Sequence, residues 1–185
     1  VKYHTKIVKN GIKVIRNLKE FFCKIDILIL AVSDTKDVKE ILTGRSGLVK
    51  NTLKPSIVID MSTICPIETI KIANVLKKNN ISMIDAPVSG GEIGAINGTL
   101  SIMIGGEENT VKKVMPILKI LGSKITYIGN SGSGQVAKAC NQIIVAQTLN
   151  AVSEAFVIAE KFKVDKFNIR SALLGGFANS KVLDT

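Results

Sequence analysis

Short apolar runs alternate along the chain with stretches in which apolar residues recur every three or four positions. Strands alternating with amphipathic helices, and hence an α/β fold, are what this pattern predicts. Lys13 to Ile15, Asp26 to Val32 (DILILAV), Ser56 to Met61 (SIVIDM), Ile81 to Asp85, Thr99 to Ile104 and Lys124 to Ile128 read as strands. The unbroken apolar run of DILILAV predicts a parallel strand buried on both faces. A helical turn is expected around Leu18 to Cys23, and a short helix over Thr35 to Leu42 with Ser33 or Asp34 as its cap. Pro66 to Lys78 reads as a helix with its proline at a tolerated first-turn position, and Glu107 to Leu121 as another. Between them, Ser89-Gly90-Gly91 to Gly98 is a glycine-rich connection.

After Gly129-Asn130-Ser131-Gly132-Ser133-Gly134 the character changes. From Gln135 to Phe162 there is no strong breaker, and Val136, Cys140, Ile143, Ile144, Ala151, Ala155, Ile158 and Ala159 mark a helical repeat. One helix of about 28 residues is expected, which at ~1.5 Å per residue leaves the sheet domain and enters a second, all-helical one. Lys161 to Asp165 reads as a turn before a further helix through Leu174, ended by Gly175-Gly176. One helix and a tail cannot bury a core of their own, and the first residue is not methionine. The expectation is therefore a segment of a longer polypeptide, with a sheet domain over residues 1–130 and the start of the helical domain over 131–185.

Composition narrows the function classes. The chain has 185 residues, 46% of them hydrophobic and 22% charged, as a packed core requires. Its longest unbroken apolar run, Ile27 to Val32, is far short of the ~20 residues of a bilayer span, and no charged-then-apolar leader opens the sequence. Membrane and secretory readings are set aside on that basis, and a cytoplasmic protein is expected. Cys23, Cys65 and Cys140 form no C-x-x-C pair and the single histidine is His4, so a disulfide scaffold, a zinc site and a histidine triad are not expected. The formal charge of +10 raises nucleic-acid binding. Only Arg16, Arg45 and Arg170 among the 25 basic residues are arginine, and aromatic residues for stacking are few, so a solvated lysine-rich surface is the better reading. Such a surface also gathers small anionic ligands by electrostatic steering.

Three patterns carry candidate chemistry. Gly132-x-Gly134-x-x-Ala137 follows a strand and opens a helix like a dinucleotide fingerprint, but no second strand ending in an acid follows ~20 residues on. The glycines read better as a tight turn, with the helix N-terminus offering partial positive charge to an anion. Lys138, one turn into that helix, has Asn141 three residues later on the same face. A lysine on a helix is ordinarily a solvated charge. This one has Ala137, Ala139 and Cys140 around it, a setting that lowers a lysine pKa from ~10.4 toward the ~7–8 useful in proton transfer. Asp85-Ala-Pro-Val-Ser-Gly-Gly91 ends a strand, where open α/β sheets place ligand crevices, and its paired glycines leave backbone N–H groups open to a carboxylate or phosphate. Asp60-Met-Ser-Thr63 also ends a strand, and its hydroxyls are expected to face the same crevice.

Together these pieces resemble the 3-hydroxyacid (β-hydroxyacid) dehydrogenase family, which includes 3-hydroxyisobutyrate dehydrogenases and 2-hydroxy-3-oxopropionate (tartronate semialdehyde) reductases. The resemblance runs through Asp60-Met-Ser-Thr-Ile-Cys-Pro66, Asp85 to Thr99, Gly132 to Asn141 and Gly175-Gly-Phe-Ala-Asn-Ser180, nearly the whole chain. It implies a Rossmann-like NAD(P)-binding domain over 1–130, then a long interdomain helix and the beginning of an all-helical domain over 131–185. It also implies an NAD(P)-dependent oxidoreductase that interconverts a small 3-hydroxy carboxylate and its semialdehyde.

By the same resemblance Lys138 is the catalytic acid–base group and Asn141 helps to position substrate. Ser89, Gly90 and Gly91 form the loop for the substrate carboxylate, and Ala31, Val32, Lys36 and Thr63 approach the cofactor, NAD or NADP. Ala31-Val-Ser-Asp34 departs from the Leu-Pro usual there. The 6-phosphogluconate dehydrogenases carry a histidine shortly before this lysine, and Gly134-Gln-Val-Ala-Lys138 lacks one, which disfavours that branch. Relative to the family the chain begins inside the second Rossmann helix, without the Gly-rich fingerprint that separates NAD from NADP, and ends before most of the helical domain. The segment alone is therefore expected to be inactive, and the full-length protein to be a homo-oligomer. The competing reading is a non-catalytic binding or assembly protein that keeps the fold; the retained Lys138 and Asn141 speak against it.

Overall fold

The computed structural model describes residues 11–184. His4 and the start of the chain, read above as part of a Rossmann helix, lie outside the described residues. Two compact units are present, residues 1–137 and 138–185.

The first unit is a sheet with helices on both faces. In chain order it contains α1 (Leu18–Phe22), β1 (Ile27–Leu30), α2 (Thr35–Thr43), a 3₁₀ turn (Leu48–Lys50), β2 (Ile57–Asp60), α3 (Pro66–Lys78), β3 (Ser82–Asp85) and β4 (Val88–Ser89). It continues with α4 (Gly91–Ile96), β5 (Leu100–Gly106), α5 (Glu108–Leu121), β6 (Gly122–Gly129) and the start of α6 (Ser133–Lys161). β1, β2 and β3 are parallel, with Leu30, Asp60 and Asp85 in register at their carboxyl ends. β5 runs antiparallel to β3 and to β4, which pair with successive stretches of one β5 edge, and β6 pairs parallel with β5 on the other. The sheet is therefore mixed. A parallel return needs a long crossover, and the short β4–α4 connection delivers β5 in the opposite sense.

Strand alternation divides the core. Leu28, Leu30, Val58 and Met83 pack with Val38 and Leu42 of α2 and Ile72 and Leu76 of α3 on one face. Ile57, Ile59, Ile84, Ile102 and Ile104 pack with Val111, Val114 and Leu118 of α5 on the other. β2 is buried throughout, as an inner parallel strand should be. β1 is not: Ile29 is 42% exposed, because among the described residues no element covers that side of the edge strand. Lys13 to Ile15 is not a strand either. Val14 is exposed, and no described strand offers the segment a ladder.

Local chemistry sets the helix boundaries. The Asp34 side chain accepts from the Thr35 amide and caps α2, and Pro66 opens α3. The second unit holds the rest of α6, α7 (Lys166–Leu174) and α8 (Lys181–Asp184). Asp165 caps α7 by accepting from Phe167 N at 2.7 Å. α8 occupies what the sequence reading treated as a tail. Its end is held by Arg170 of α7, whose guanidinium donates to the Leu183 carbonyl at 3.1 Å and the Asp184 carboxylate at 2.6 Å. α6 is long and apolar enough, by length and composition alone, to cross a membrane. It contains no long unbroken apolar run, because Gln, Asn, Thr and Ser interrupt its apolar residues.

Candidate active site

The carboxyl ends of β1 and β2 carry loops that are tied to each other. The Val32 amide donates to Ser62 Oγ at 3.0 Å, and the Cys65 amide donates to Thr35 Oγ1 at 3.2 Å. Four residues read from the sequence as approaching the cofactor are brought together here. Ala31 and Val32 follow β1, Lys36 lies in the first turn of α2, and Thr63 lies in the loop after β2; all but the half-buried Val32 are exposed. Exposed residues and a lysine without an ion pair among the described residues, at the carboxyl ends of parallel strands, suit a dinucleotide's ribose and phosphates. Only one of the two hydroxyls of Asp60-Met-Ser-Thr63 is open as expected. Thr63 is exposed, whereas Ser62 is buried and turned toward Val32.

Ser89 ends β4, and Gly90 and Gly91 lead into α4 with φ of +135° and +61°. Consecutive positive φ values are readily adopted only by glycine; both residues are exposed, and a Cβ at Gly91 would meet no atom within 4 Å.

The fingerprint-like Gly132-x-Gly134 turn is already filled from within. Asp85 accepts from the Gly132 amide at 2.7 Å and the Gln135 amide at 3.0 Å, placing a carboxylate at the positive end of α6. A Cβ at Gly134 would come within 2.8 Å of Asp85 Oδ2 and 2.5 Å of the Met103 carbonyl, so glycine is required there for close packing. The anion expected at this helix start is thus the protein's own Asp85, and the turn is no pyrophosphate cradle. Burial raises the Asp85 pKa, against the pull of the Gly132 and Gln135 amides.

Asp60 stands beside Asp85 across β2 and β3. It is fully buried; Oδ1 accepts from Ser62 N at 3.0 Å, while Oδ2 has no hydrogen-bond partner among the described residues. Burial pushes its pKa from 3.8 up to about 6, opposed by Ser62 and assisted by the Asp85 charge. Gln135 completes this layer. Its Nε2 donates to the Ser62 carbonyl at 2.8 Å, and its Oε1 accepts from Ile64 N at 3.1 Å. The sequence reading missed Gln135 and the inward roles of Asp60, Ser62 and Asp85. The available signal was an aspartate ending each of two adjacent apolar strands.

Lys138 and Asn141 belong to the second unit, on α6. Lys138 is 9% exposed, and burial alone lowers its pKa from 10.5, with no ion pair to offset the effect among the described residues. Asn141 is half-buried and its amide donates to Gln142 Oε1 at 3.0 Å.

The family model described as the NAD binding domain of 6-phosphogluconate dehydrogenase matches residues 2–129. That described as the NAD-binding domain of NADP-dependent 3-hydroxyisobutyrate dehydrogenase matches residues 132–185. The chain is 48% identical to 2-hydroxy-3-oxopropionate reductase of Escherichia coli over 86% of its own length and 54% of the relative's. It is 38% identical to a probable mitochondrial 3-hydroxyisobutyrate dehydrogenase-like protein of Arabidopsis thaliana, over 86% and 48%. The structure of Mycobacterium tuberculosis 3-hydroxyisobutyrate dehydrogenase with L-serine superposes with a TM-score of 0.86 at 30% identity, covering 98% of this chain and 61% of that one. The chain spans about half the length of the curated relatives it matches. The NAD-binding models that match the sheet domain and the lysine-bearing helix, together with these relatives, place the chain in the NAD(P)-dependent 3-hydroxyacid dehydrogenase family, with the 3-hydroxyisobutyrate dehydrogenases and 2-hydroxy-3-oxopropionate reductases.

Proposed function

We propose that the whole protein interconverts a small 3-hydroxy carboxylate and its semialdehyde, with NAD or NADP as the redox partner and Lys138 as the acid–base group. The observation that carries this reading is Lys138 itself, a buried lysine with no ion-pair partner among the described residues, on a helix whose first turn is anchored in the sheet unit. Desolvation favours the neutral amine, so Lys138 is readied to accept the proton of a substrate hydroxyl; in the reverse direction its ammonium protonates the developing alkoxide oxygen. The bound nicotinamide supplies or accepts the hydride at the substrate carbon. Ser89, Gly90 and Gly91 hold the substrate carboxylate and Asn141 orients the substrate, which is positioning rather than bond-making. Ala31, Val32, Lys36 and Thr63 line the cofactor side. The 48% identity to 2-hydroxy-3-oxopropionate reductase favours a three-carbon semialdehyde as the substrate to try first.

Residues 1–130 serve as the nucleotide domain and 131–185 as the bridge into the helical domain, so the 185-residue chain alone is expected to turn over no substrate. The test is Lys138→Ala in the full-length protein. We expect kcat to fall at least the ~100-fold typical of losing a general acid–base group, with NADH and NADPH binding little changed by fluorescence titration. Undiminished turnover by the alanine variant overturns the assignment.

A further inference from the structure

Gln135 is 1% exposed, and burying a primary amide is costly unless its polar atoms are paired. Both ends of this amide are paired, and neither partner is on its own helix. Oε1 accepts from the Ile64 amide at 3.1 Å and Nε2 donates to the Ser62 carbonyl at 2.8 Å, contacts that span 71 and 73 residues of sequence. The Gln135 backbone amide meanwhile donates to Asp85 Oδ2 at 3.0 Å. One residue thus fixes the first turn of α6 from two directions, to the end of β3 through its backbone and to the loop after β2 through its side chain. That loop exposes Thr63, and its Ser62 Oγ holds the Val32 amide at 3.0 Å, so its conformation is shared with the turn after β1. Lys138 lies three residues beyond Gln135, adjacent along the same helix.

From this arrangement we infer that Gln135 is a positioning residue for proton transfer, fixing the first turn of α6, the turn from which Lys138 follows, to the loop after β2 and the end of β3. The inference rests on the reading of Lys138 as the acid–base group. A side chain kept only for volume would need no amide, because a methionine of similar length fills the same space. What methionine cannot do is satisfy the Ile64 N–H and the Ser62 carbonyl together. Losing both links frees the turn to shift, and a displacement of ~1 Å at a reacting group is enough to cost ~100-fold in rate.

Two full-length variants test this, Gln135→Met and Gln135→Glu, beside the wild type. For Gln135→Met we expect kcat to fall about 10- to 100-fold at every pH while the KM for NAD(P)H changes little. In Gln135→Glu the carboxylate accepts from Ile64 N but repels the Ser62 carbonyl. Its protonated form restores both links, so the ratio of variant to wild-type kcat is expected to recover as pH falls. The second readout needs no turnover: the pH dependence of Lys138 acylation by a small anhydride, followed by mass spectrometry of the apo protein. Wild-type Lys138 should titrate below ordinary lysines, and Gln135→Met should move it back toward them.

If the wild type oxidises or reduces no hydroxy acid or semialdehyde with either nicotinamide, the enzyme reading fails, and the acylation profile still decides whether Gln135 sets the environment of Lys138. A Gln135→Met protein with wild-type kcat and a wild-type Lys138 titration overturns the inference. So does one whose only change is a lower unfolding midpoint, because that is all a structural role would produce.

Discussion

Asp60→Asn should make the protein less sensitive to rising pH, by an amount the structure sets. Asp60 is fully buried with one oxygen unpartnered, and its pKa is raised from 3.8 to about 6. A carboxyl group whose pKa is raised by folding contributes stability that is fully present below pH ~3.8 and is lost as pH climbs through ~6. At 1.36 kcal/mol per pH unit, the loss on going from pH 4 to pH 8 is about 3 kcal/mol. Asparagine keeps the oxygen that accepts from Ser62 N and cannot ionise, so it escapes this loss. Its NH₂ group takes the place of the unpartnered Oδ2 and costs about 1–3 kcal/mol, but equally at every pH. The assay is urea unfolding of wild type and variant at pH 4, 5, 6, 7 and 8, followed by circular dichroism. The difference in unfolding free energy, variant minus wild type, should climb by about 3 kcal/mol across that range, most steeply between pH 4 and 6. A difference that stays flat would show that the Asp60 carboxylate finds a partner or solvent when it ionises, and would refute the reasoning.

Gly134→Ala should cost about 1–3 kcal/mol or more, seen as a lower thermal midpoint, because the new methyl meets backbone and carboxylate atoms that cannot swing aside. Ser62→Ala removes the acceptor of the Val32 amide and should cost about 1–2 kcal/mol in the same measurement. Since it frees the loop carrying Ala31 and Val32, it should also weaken NADH binding several-fold in a fluorescence titration.

Much of the fold was legible because burial and helix punctuation act over a few residues. Pro66 to Lys78 emerges with the boundaries read from its proline and its apolar repeat, and SIVIDM is a strand buried throughout. The failures share a cause, which is that the deciding partner lies far away in sequence. DILILAV looks buried on both faces because its run is unbroken, yet Ile29 faces outward at a sheet edge that composition does not report. β4 is two residues long and exists because β5 offers it a ladder. α4 contains two glycines in six residues, poor helix formers that local propensity discounts. α8 depends on Arg170, eleven residues before the helix begins.

The candidate site divides along the same line. The glycines, the lysine and the strand-end aspartates are visible as letters, but which anion sits on the start of α6 is a question of three-dimensional supply. A glycine pair between a strand and a helix creates open amides and a positive dipole end, and those properties do not specify whether a ligand or a side chain fills them. Here β3 ends in Asp85 at the distance of a hydrogen bond from Gly132 and Gln135, so the protein closes the cradle itself. The loops after β1 and β2 are not closed in this way, and Ala31, Lys36 and Thr63 are exposed there. The fingerprint-like turn therefore needs no acidic strand after it: its glycines serve helix-to-sheet packing, and the helix they anchor carries Lys138.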